Sequence, residues 1–149
     1  MNELNGYDIE DLAIGMTATL VKTITEADII LFAEASGDNN PIHINDAFAR
    51  KTPFGGRIAH GFLTASDISA AVANRLPGPG TVYISQQLNF RAPVRPGDTV
   101  HACVRVHEVN RDRARVTLET VCRVGDTIVI DGEAVVKTTS KARRAAAVT

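Results

Sequence analysis

The sequence lacks the features that mark several broad functional classes. Its 149 residues include 16 basic and 17 acidic side chains, so a formal charge of −1 provides no positive field for nucleic acid or an anionic membrane. The N-terminal residues, MNELNGYDIEDL, have neither the basic nor the apolar region of a secretory signal. No apolar run approaches the length of a membrane span. These absences favour a cytoplasmic protein that binds neither nucleic acid nor membranes.

Cysteine is scarce: the chain has two, Cys103 and Cys122, without the spacing of a metal site or a CxxC redox pair. Both fall in strand-like segments, and we expect small buried hydrophobic residues with free thiols in a reducing compartment. A metal site would use Asp38, His43 and His60, but these residues do not have the spacing of a strong metal motif. We therefore expect no metal and no cofactor.

The length and a hydrophobic content of 44% predict a single domain over residues 1–149, with a frayed basic tail from about residue 139. The alternating stretch Met16–Ile24 predicts a first strand. The residues Thr25-Glu26-Ala27-Asp28 have the pattern of a helix start with a capping box, and Gly37 suits the left-handed conformation that ends a helix. A short helix is therefore expected between them.

The second half of the chain changes character. Gly61–Leu76 is almost wholly small or apolar, which predicts a buried helix that Pro77-Gly78-Pro79-Gly80 ends. Four segments rich in Val, Ile and Thr then predict antiparallel strands: Thr81–Phe90, Thr99–Val109, Arg113–Val124 and Thr127–Thr138. A long apolar helix wrapped by such a sheet is an α+β fold. Its exposed sheet edges indicate pairing with a second copy.

The stretch Ser36–His43 holds a carboxylate and an imidazole, those of Asp38 and His43, on a segment predicted to be neither regular helix nor strand. Asn40 precedes Pro41 and is therefore pushed out of the helical region. An acid and a base on one tight loop can converge on a single water or substrate atom. Each residue also has a structural interpretation, Asp38 as the organiser of an Asx turn and His43 as a structural histidine.

A second candidate region, His60-Gly61, opens the predicted buried helix. The first N–H groups of a helix lack internal partners and lie at the positive end of its dipole. A glycine there lets a carbonyl approach closely, so the Gly61 N–H is a candidate oxyanion stabiliser, with a packing glycine as the alternative. Ser69 follows on the same helix without the sharp G-x-S-x-G turn of a nucleophile, and we interpret it as a helix-packing or pocket-lining residue.

Several motifs together resemble the (R)-specific enoyl-CoA hydratases, also called the MaoC-like or hydratase 2 family. The similar stretches are Phe32–His43 followed by Ala49, Ile58–Gly61, Leu76–Tyr83 and Gln87–Val94. They fall in the family's order and extend the resemblance from about Gly15 to Lys137. Ala35 departs from the pattern, since a larger aliphatic residue is commoner at that position.

This resemblance implies a hot-dog fold, with a long central helix wrapped by an antiparallel β-sheet, usually in a homodimer or higher homo-oligomer. It implies an acyl-CoA substrate and the reversible hydration of trans-2-enoyl-CoA to (R)-3-hydroxyacyl-CoA in fatty acid metabolism. By residue match, Asp38 and His43 are the catalytic pair, Gly61 gives its N–H to the thioester carbonyl, and Ser69 lies near the catalytic water. We expect His43 as base and Asp38, kept protonated by partial burial, as acid; the reverse remains open because coupled groups titrate as a pair.

Three other functions fit parts of the same pattern. A hot-dog thioesterase would cleave the acyl group, and the intact Gly37-Asp38-x4-His43 pattern argues against it. A non-catalytic acyl-thioester binding module would not need both Asp38 and His43. A dehydratase that acts on 3-hydroxyacyl carrier protein is the third alternative, because the sequence does not determine the thioester carrier, the acyl chain length or the CoA-binding residues.

Overall fold

A five-stranded antiparallel sheet packs against the long helix that the sequence predicts; a computed structural model describes residues 1–148 of the chain. The strands are β1 (Thr17–Thr23), β2 (Val82–Phe90), β3 (Thr99–Asn110), β4 (Arg115–Val124) and β5 (Thr127–Lys137). Their order across the sheet is β1-β3-β4-β5-β2, so β2 crosses to the far edge and pairs with β5. The predicted α+β arrangement is confirmed, and β1 and β2 are the two sheet edges.

The helices are α1 (Glu26–Ser36), α2 (Pro41–Ile44), α3 (Asp46–Arg50), α4 (Gly61–Asn74) and α5 (Lys141–Val148), preceded by a 3₁₀ turn over Ile9–Asp11. Helix α4 is the predicted buried helix. Within residues 1–148, no helix has both the length and the apolar character that crossing a membrane requires.

The core lies between α4 and the sheet. On α4 the buried side chains include Leu63, Ile68 and Val72. Strand β3 alternates buried and exposed residues over most of its length, because successive side chains of a strand point to opposite faces. Burial of each large aliphatic side chain contributes about 1.5–3 kcal/mol of gross stabilisation. Cys122 of β4 belongs to this core, whereas Cys103 is half-buried, and both are free thiols.

The start and end of α1 follow the sequence closely. The hydroxyl of Thr25 accepts from the Asp28 amide at 3.1 Å, and the Asp28 carboxylate accepts from the Thr25 amide at 2.9 Å, which completes a capping box. At the other end Gly37 has φ +76°, the left-handed conformation in which glycine is favoured. The chain therefore leaves α1 in a fixed direction just before Asp38.

Two local predictions differ from the structure. The segment up to His43 was expected to contain no regular helix, but Pro41–Ile44 forms one helical turn, because proline is tolerated at the first helical position and Asn40 caps it.

The tail from about residue 139 was expected to be frayed, but Lys141–Val148 is helical. The guanidinium of Arg144 donates to both oxygens of buried Asp8 at 2.7 and 2.8 Å, which ties α5 to the N-terminal segment. The last residue of the chain lies outside the described residues.

Candidate active site

Three side chains from separate local elements meet beside the start of α4. Asp38 follows the left-handed Gly37, His43 lies in α2, and His60 immediately precedes α4. One ligand-type atom from each of the three lies within 4.8 Å of the others. The structure thus brings together the predicted pair Asp38 and His43 and adds His60 as a neighbour.

The orientation of His43 is fixed by one backbone carbonyl. Its Nδ1 lies 2.8 Å from the oxygen of Ile58, and because a carbonyl can only accept, Nδ1 carries the proton and donates. In a neutral ring Nε2 then has a free lone pair. His43 is 8% exposed and contributes to the wall of a cavity. The ring is therefore held in the tautomer that a general base needs.

His60 has a larger part in the site than the sequence analysis gave it. Its Nε2 donates to the backbone carbonyl of Asp38 at 3.0 Å, and its ring stacks on that of His43 with centroids 3.9 Å apart. The Phe32 ring also packs against the His60 ring, with centroids 4.9 Å apart. Sequence reasoning considered His60 as a metal ligand or part of a motif. It missed that each of two histidines on neighbouring segments can donate a hydrogen bond to a backbone carbonyl of the other segment.

Asp38 combines the structural and the functional interpretation. Its carboxylate accepts from the amide of Asn40 at 3.2 Å, which is the Asx-type turn that the sequence allows. The side chain is nevertheless exposed in the single protomer, so the partial burial that was expected to keep it protonated is not present there. The rest of the carboxylate is open to a water or to substrate.

A cavity of about 420 Å³ opens next to these residues. Its wall is mostly apolar and consists of His43, Phe54, Ile58, Ala59, Gly61, Thr64, Phe90, Arg91, Ala92, Pro93, Val94 and Ile130. A cavity of this size, with a few polar groups at one end, is typical of a small-molecule site. His43 and the Gly61 backbone lie on the same cavity, which brings the candidate base and the candidate oxyanion donor to one ligand.

Gly61 begins α4, and its amide is among those that have no acceptor within the helix. A Cβ at this position would lie 2.6 Å from the Phe90 ring, so a side chain would collide with the cavity wall. The close packing of Phe90 agrees with the packing-glycine interpretation. An amide at the positive end of the helix dipole is also compatible with the oxyanion interpretation.

The remaining predicted residue, Ser69, lies on the exposed side of α4 and is not among the described residues that line the cavity. The polar group that sequence reasoning overlooked on this helix is Asp67, which is 2% exposed. Burial raises the pKa of its carboxyl to about 6. The sequence could have revealed this residue, because a charged side chain is unusual within a helix predicted to be buried.

The three residues considered as metal ligands in the sequence analysis are the ones that meet here. Asp38, His43 and His60 are close enough to coordinate a cation. Each histidine, however, uses one nitrogen on a backbone carbonyl, and the free nitrogen of His60, Nδ1, is buried without a hydrogen-bond partner among residues 1–148. The arrangement suits proton transfer by Asp38 and the open nitrogen of His43.

Comparison with known proteins places this geometry in a family. Residues 13–127 match the model of the MaoC like domain. The chain is 55% identical over 139 residues to the 3-hydroxybutyryl-CoA dehydratase of Methylorubrum extorquens, covering 93% of this chain and 88% of that protein. It is 51% identical over 127 residues to the (R)-specific enoyl-CoA hydratase of Rhodospirillum rubrum, covering 85% of this chain and 88% of that protein.

Among solved structures, the unliganded R-hydratase PhaJ1 of Pseudomonas aeruginosa superimposes with a TM-score of 0.86 at 39% identity, covering 91% of this chain and 88% of that one. The R-hydratase of A. caviae involved in PHA biosynthesis gives a TM-score of 0.84 at 40% identity, covering 87% and 98%. These similarities confirm the hot-dog fold. The chain belongs to the MaoC-like family.

Proposed function

We propose that this protein is an (R)-specific enoyl-CoA hydratase, which adds water reversibly to a trans-2-enoyl-CoA through Asp38 and His43. The observation that carries the proposal is the fixed tautomer of His43. Because Nδ1 donates to the carbonyl of Ile58, Nε2 is a free acceptor beside Asp38 on a cavity that also contains the Gly61 backbone. The assignment of stereochemistry draws on the names of the related hydratases.

In the hydration direction, His43 Nε2 takes a proton from a bound water as the water oxygen forms a bond to C3 of the enoyl group. The electron pair of the C2–C3 double bond moves toward C1, and negative charge develops on the thioester oxygen. The Gly61 N–H and the positive end of α4 stabilise that charge, because they are already oriented before the reaction begins.

The charge then collapses as C2 takes a proton from Asp38. One hydrogen and one hydroxyl have been added, His43 is protonated, and Asp38 is a carboxylate. A proton returns from His43 to Asp38, whose ligand-type atoms lie within 4.8 Å, and the site is restored. Dehydration follows the same steps in reverse. The free nitrogen of His43 supports the choice of His43 as base, which leaves Asp38 as the acid.

We also propose that the active form is a homodimer. Strand β2 is an edge strand, and several of its apolar side chains are exposed: Val82, Tyr83, Ile84 and Phe90. An exposed edge of this kind favours pairing with another strand. From the family resemblance we also propose that Ser69 contacts substrate. A cytoplasmic location is proposed because thiols such as Cys103 and Cys122 remain reduced there.

The test is a direct assay. The purified protein is mixed with crotonyl-CoA, loss of the conjugated enoyl-thioester absorbance is followed, and the configuration of the product is determined. We expect formation of (R)-3-hydroxybutyryl-CoA, abolished in Asp38→Asn, with dimer mass by light scattering. The (S) product, or equal rates in wild type and Asp38→Asn, would overturn the proposed function.

Two controls separate the alternatives. A thiol reagent detects free CoA, which a thioesterase would release and a hydratase would not. The same assay with crotonyl carrier protein tests the other carrier, since relatives 34% and 31% identical are named 3-hydroxyacyl-[acyl-carrier-protein] dehydratases. A carrier-protein rate above the CoA rate would reassign the substrate while leaving the chemistry in place.

A further inference from the structure

Two buried polar side chains of α4, one in the cavity wall and one a helical turn further along, are not used by the hydration chemistry. Thr64 lines the cavity and is 1% exposed, and Asp67 follows one helical turn later at 2%. The hydroxyl of Thr64 and one carboxylate oxygen of Asp67, Oδ2, are buried with no hydrogen-bond partner among residues 1–148. A buried polar group without a partner costs about 1–3 kcal/mol, so a site with two of them requires an explanation.

The position of these atoms relates them to the acyl group. Residues 61, 64 and 67 lie on consecutive turns of α4, each about 4.5 Å further along the axis, and positions three apart share a helix face. If the Gly61 amide holds the thioester carbonyl, a chain that runs along the helix passes Thr64 first. Asp67 lies beyond it, so the two side chains stand where a short acyl chain ends and a longer one continues.

The sheet closes the same region from the other side. Cys122 of β4 is fully buried, and its sulfur lies 4.0 Å from the carbonyl oxygen of Thr64. Burial raises the pKa of this thiol to about 12, and the nearby carboxyl of Asp67 adds to the rise. The thiol is therefore neutral and polarisable. Behind the Thr64 part of the cavity wall, α4 and β4 place a hydroxyl, a carboxyl and a thiol close together, in contrast to the apolar wall near Phe90 and Val94.

We propose that Thr64 and Asp67 form a polar stop that limits the acyl group to about four carbons, a specificity that rests on the proposed hydratase function. Ordered water between the two side chains satisfies their hydrogen bonds when a short acyl group is bound. A longer chain must displace that water and cannot replace its hydrogen bonds, so it loses affinity. The Methylorubrum relative, whose name specifies a four-carbon substrate, agrees with this size.

The experiment compares two substrates in four proteins. Values of kcat/KM are measured for crotonyl-CoA and trans-2-octenoyl-CoA in wild type, in Thr64→Val/Asp67→Leu, in Asp67→Asn and in Ser66→Ala. The double variant keeps the volume but removes the polar atoms; Asp67→Asn keeps a polar group, and Ser66 lies on the exposed side of the same helix. Thermal unfolding of each variant verifies that it is folded.

We expect wild type to prefer the four-carbon substrate at least tenfold, and the double variant to raise the octenoyl-to-crotonyl ratio by at least tenfold. Asp67→Asn and Ser66→Ala should retain the wild-type preference. A wild-type protein that uses both substrates equally, or a double variant whose ratio stays within twofold of wild type, would overturn the polar stop.

A binding measurement separates this proposal from the proposed function. Dissociation constants for butanoyl-CoA and octanoyl-CoA, obtained by calorimetry, need no turnover. If neither enoyl-CoA is hydrated but the double variant still shifts the binding ratio toward the octanoyl group, the hydratase function fails and the stop stands. If hydration occurs but the binding ratio is the same in both proteins, the stop fails and the hydratase function stands.

Discussion

Two corners of the molecule each contain an aspartate with a basic partner. They differ in whether the hydrogen-bonding groups of that pair are all used. Where the chain ends meet, Asp8 is fully buried and accepts from Arg144 at 2.7 and 2.8 Å and from Thr139 at 2.7 Å. The bound guanidinium holds the pKa of the Asp8 carboxyl well below its usual range. In the second, the proposed reactive corner, Asp38 is exposed, and one ring nitrogen of His43 does not bind a backbone carbonyl.

The difference shows that the number of hydrogen bonds a side chain already makes decides whether it stabilises the fold or can exchange protons with a ligand. A carboxylate that is saturated with donors is stabilised in its charged form and has no remaining capacity to exchange protons near neutrality. A carboxylate and an imidazole with unused lone pairs can exchange protons with a ligand. Asp67 is a third case, because it is buried nearly as deeply as Asp8, but its Oδ2 has no hydrogen-bond partner within the described part of the chain, residues 1–148.

The largest expected effect tests the reactive corner. His43→Gln removes the free ring nitrogen but can retain a donor for the carbonyl of Ile58. We expect kcat for crotonyl-CoA hydration to fall by about a hundredfold to ten-thousandfold, the usual contribution of a general base, with the unfolding midpoint within a few degrees of wild type. Stopped-flow or steady-state rates and calorimetry measure the two quantities. A retained rate, or a loss that merely follows unfolding, would contradict the assignment.

The saturated corner should respond in the opposite way. Arg144→Ala leaves the Asp8 carboxylate buried without its main donor, and a buried charge without a partner is strongly destabilising. We expect the midpoint of thermal unfolding to fall by about 5 °C while kcat stays unchanged. Arg143→Ala is the matched control, because that neighbour donates to the carbonyl of Asp112 instead of a buried carboxylate. Equal falls in the unfolding midpoint of the two variants would show that the Asp8–Arg144 ion pair contributes no more to stability than the hydrogen bond of Arg143.

A smaller effect is expected from the third aspartate, and it depends on pH. The folded-state pKa of Asp67 is raised from 3.8 to about 6, so its contribution to stability is fully present below pH 4 and is lost as pH rises through 6. Lys22 opposes the rise and Asp28 adds to it. Relative to wild type, Asp67→Asn should therefore gain about 2 kcal/mol of unfolding free energy between pH 4 and pH 7.

Denaturant titrations at several pH values measure that difference, with Asp126→Asn in an exposed hairpin turn as the control. The other carboxylates affect both proteins equally and cancel in the comparison. A difference between wild type and Asp67→Asn that stays constant from pH 4 to pH 7 would mean that burial does not raise the pKa of this carboxyl.

The smallest expected effect concerns His60, which donates a hydrogen bond to the backbone carbonyl of Asp38. His60→Phe keeps a ring for stacking on His43 but loses the donor to the Asp38 carbonyl. We expect kcat to fall by about tenfold with KM nearly unchanged, because a misplaced acid affects the transition state more than binding. A change in KM alone would point to a role in the cavity wall instead.

Much of this arrangement was predictable because local chemistry decides it. The capping box at Thr25, the left-handed Gly37 and the abrupt end of α4 depend on neighbours in sequence, and each was predicted. The pairing of Asp38 with His43 also follows from a short segment with few available conformations. The family resemblance supplied the hot-dog fold, which the structure and the comparisons confirm.

The features that the sequence did not disclose depend on distant partners. Helix α5 is held by Asp8 at the other end of the chain, with Arg144 136 positions away. The crossing of β2 to pair with β5 depends on the whole sheet. The missing partner of Asp67 is a property of the packed core, because a sequence shows which polar groups exist and not which of them remain unpaired.

The two histidines have a consequence for how the protein can change over evolution. His43 holds the backbone at Ile58, and His60 holds the backbone at Asp38, so the segments before and after α3 are cross-linked by two hydrogen bonds. The whole reactive corner is thereby contained in residues 38–61, and the sheet supplies only a wall. Strand sequences can diverge, and new domains can be attached at either end, while selection on the chemistry acts on one short and transferable stretch of chain.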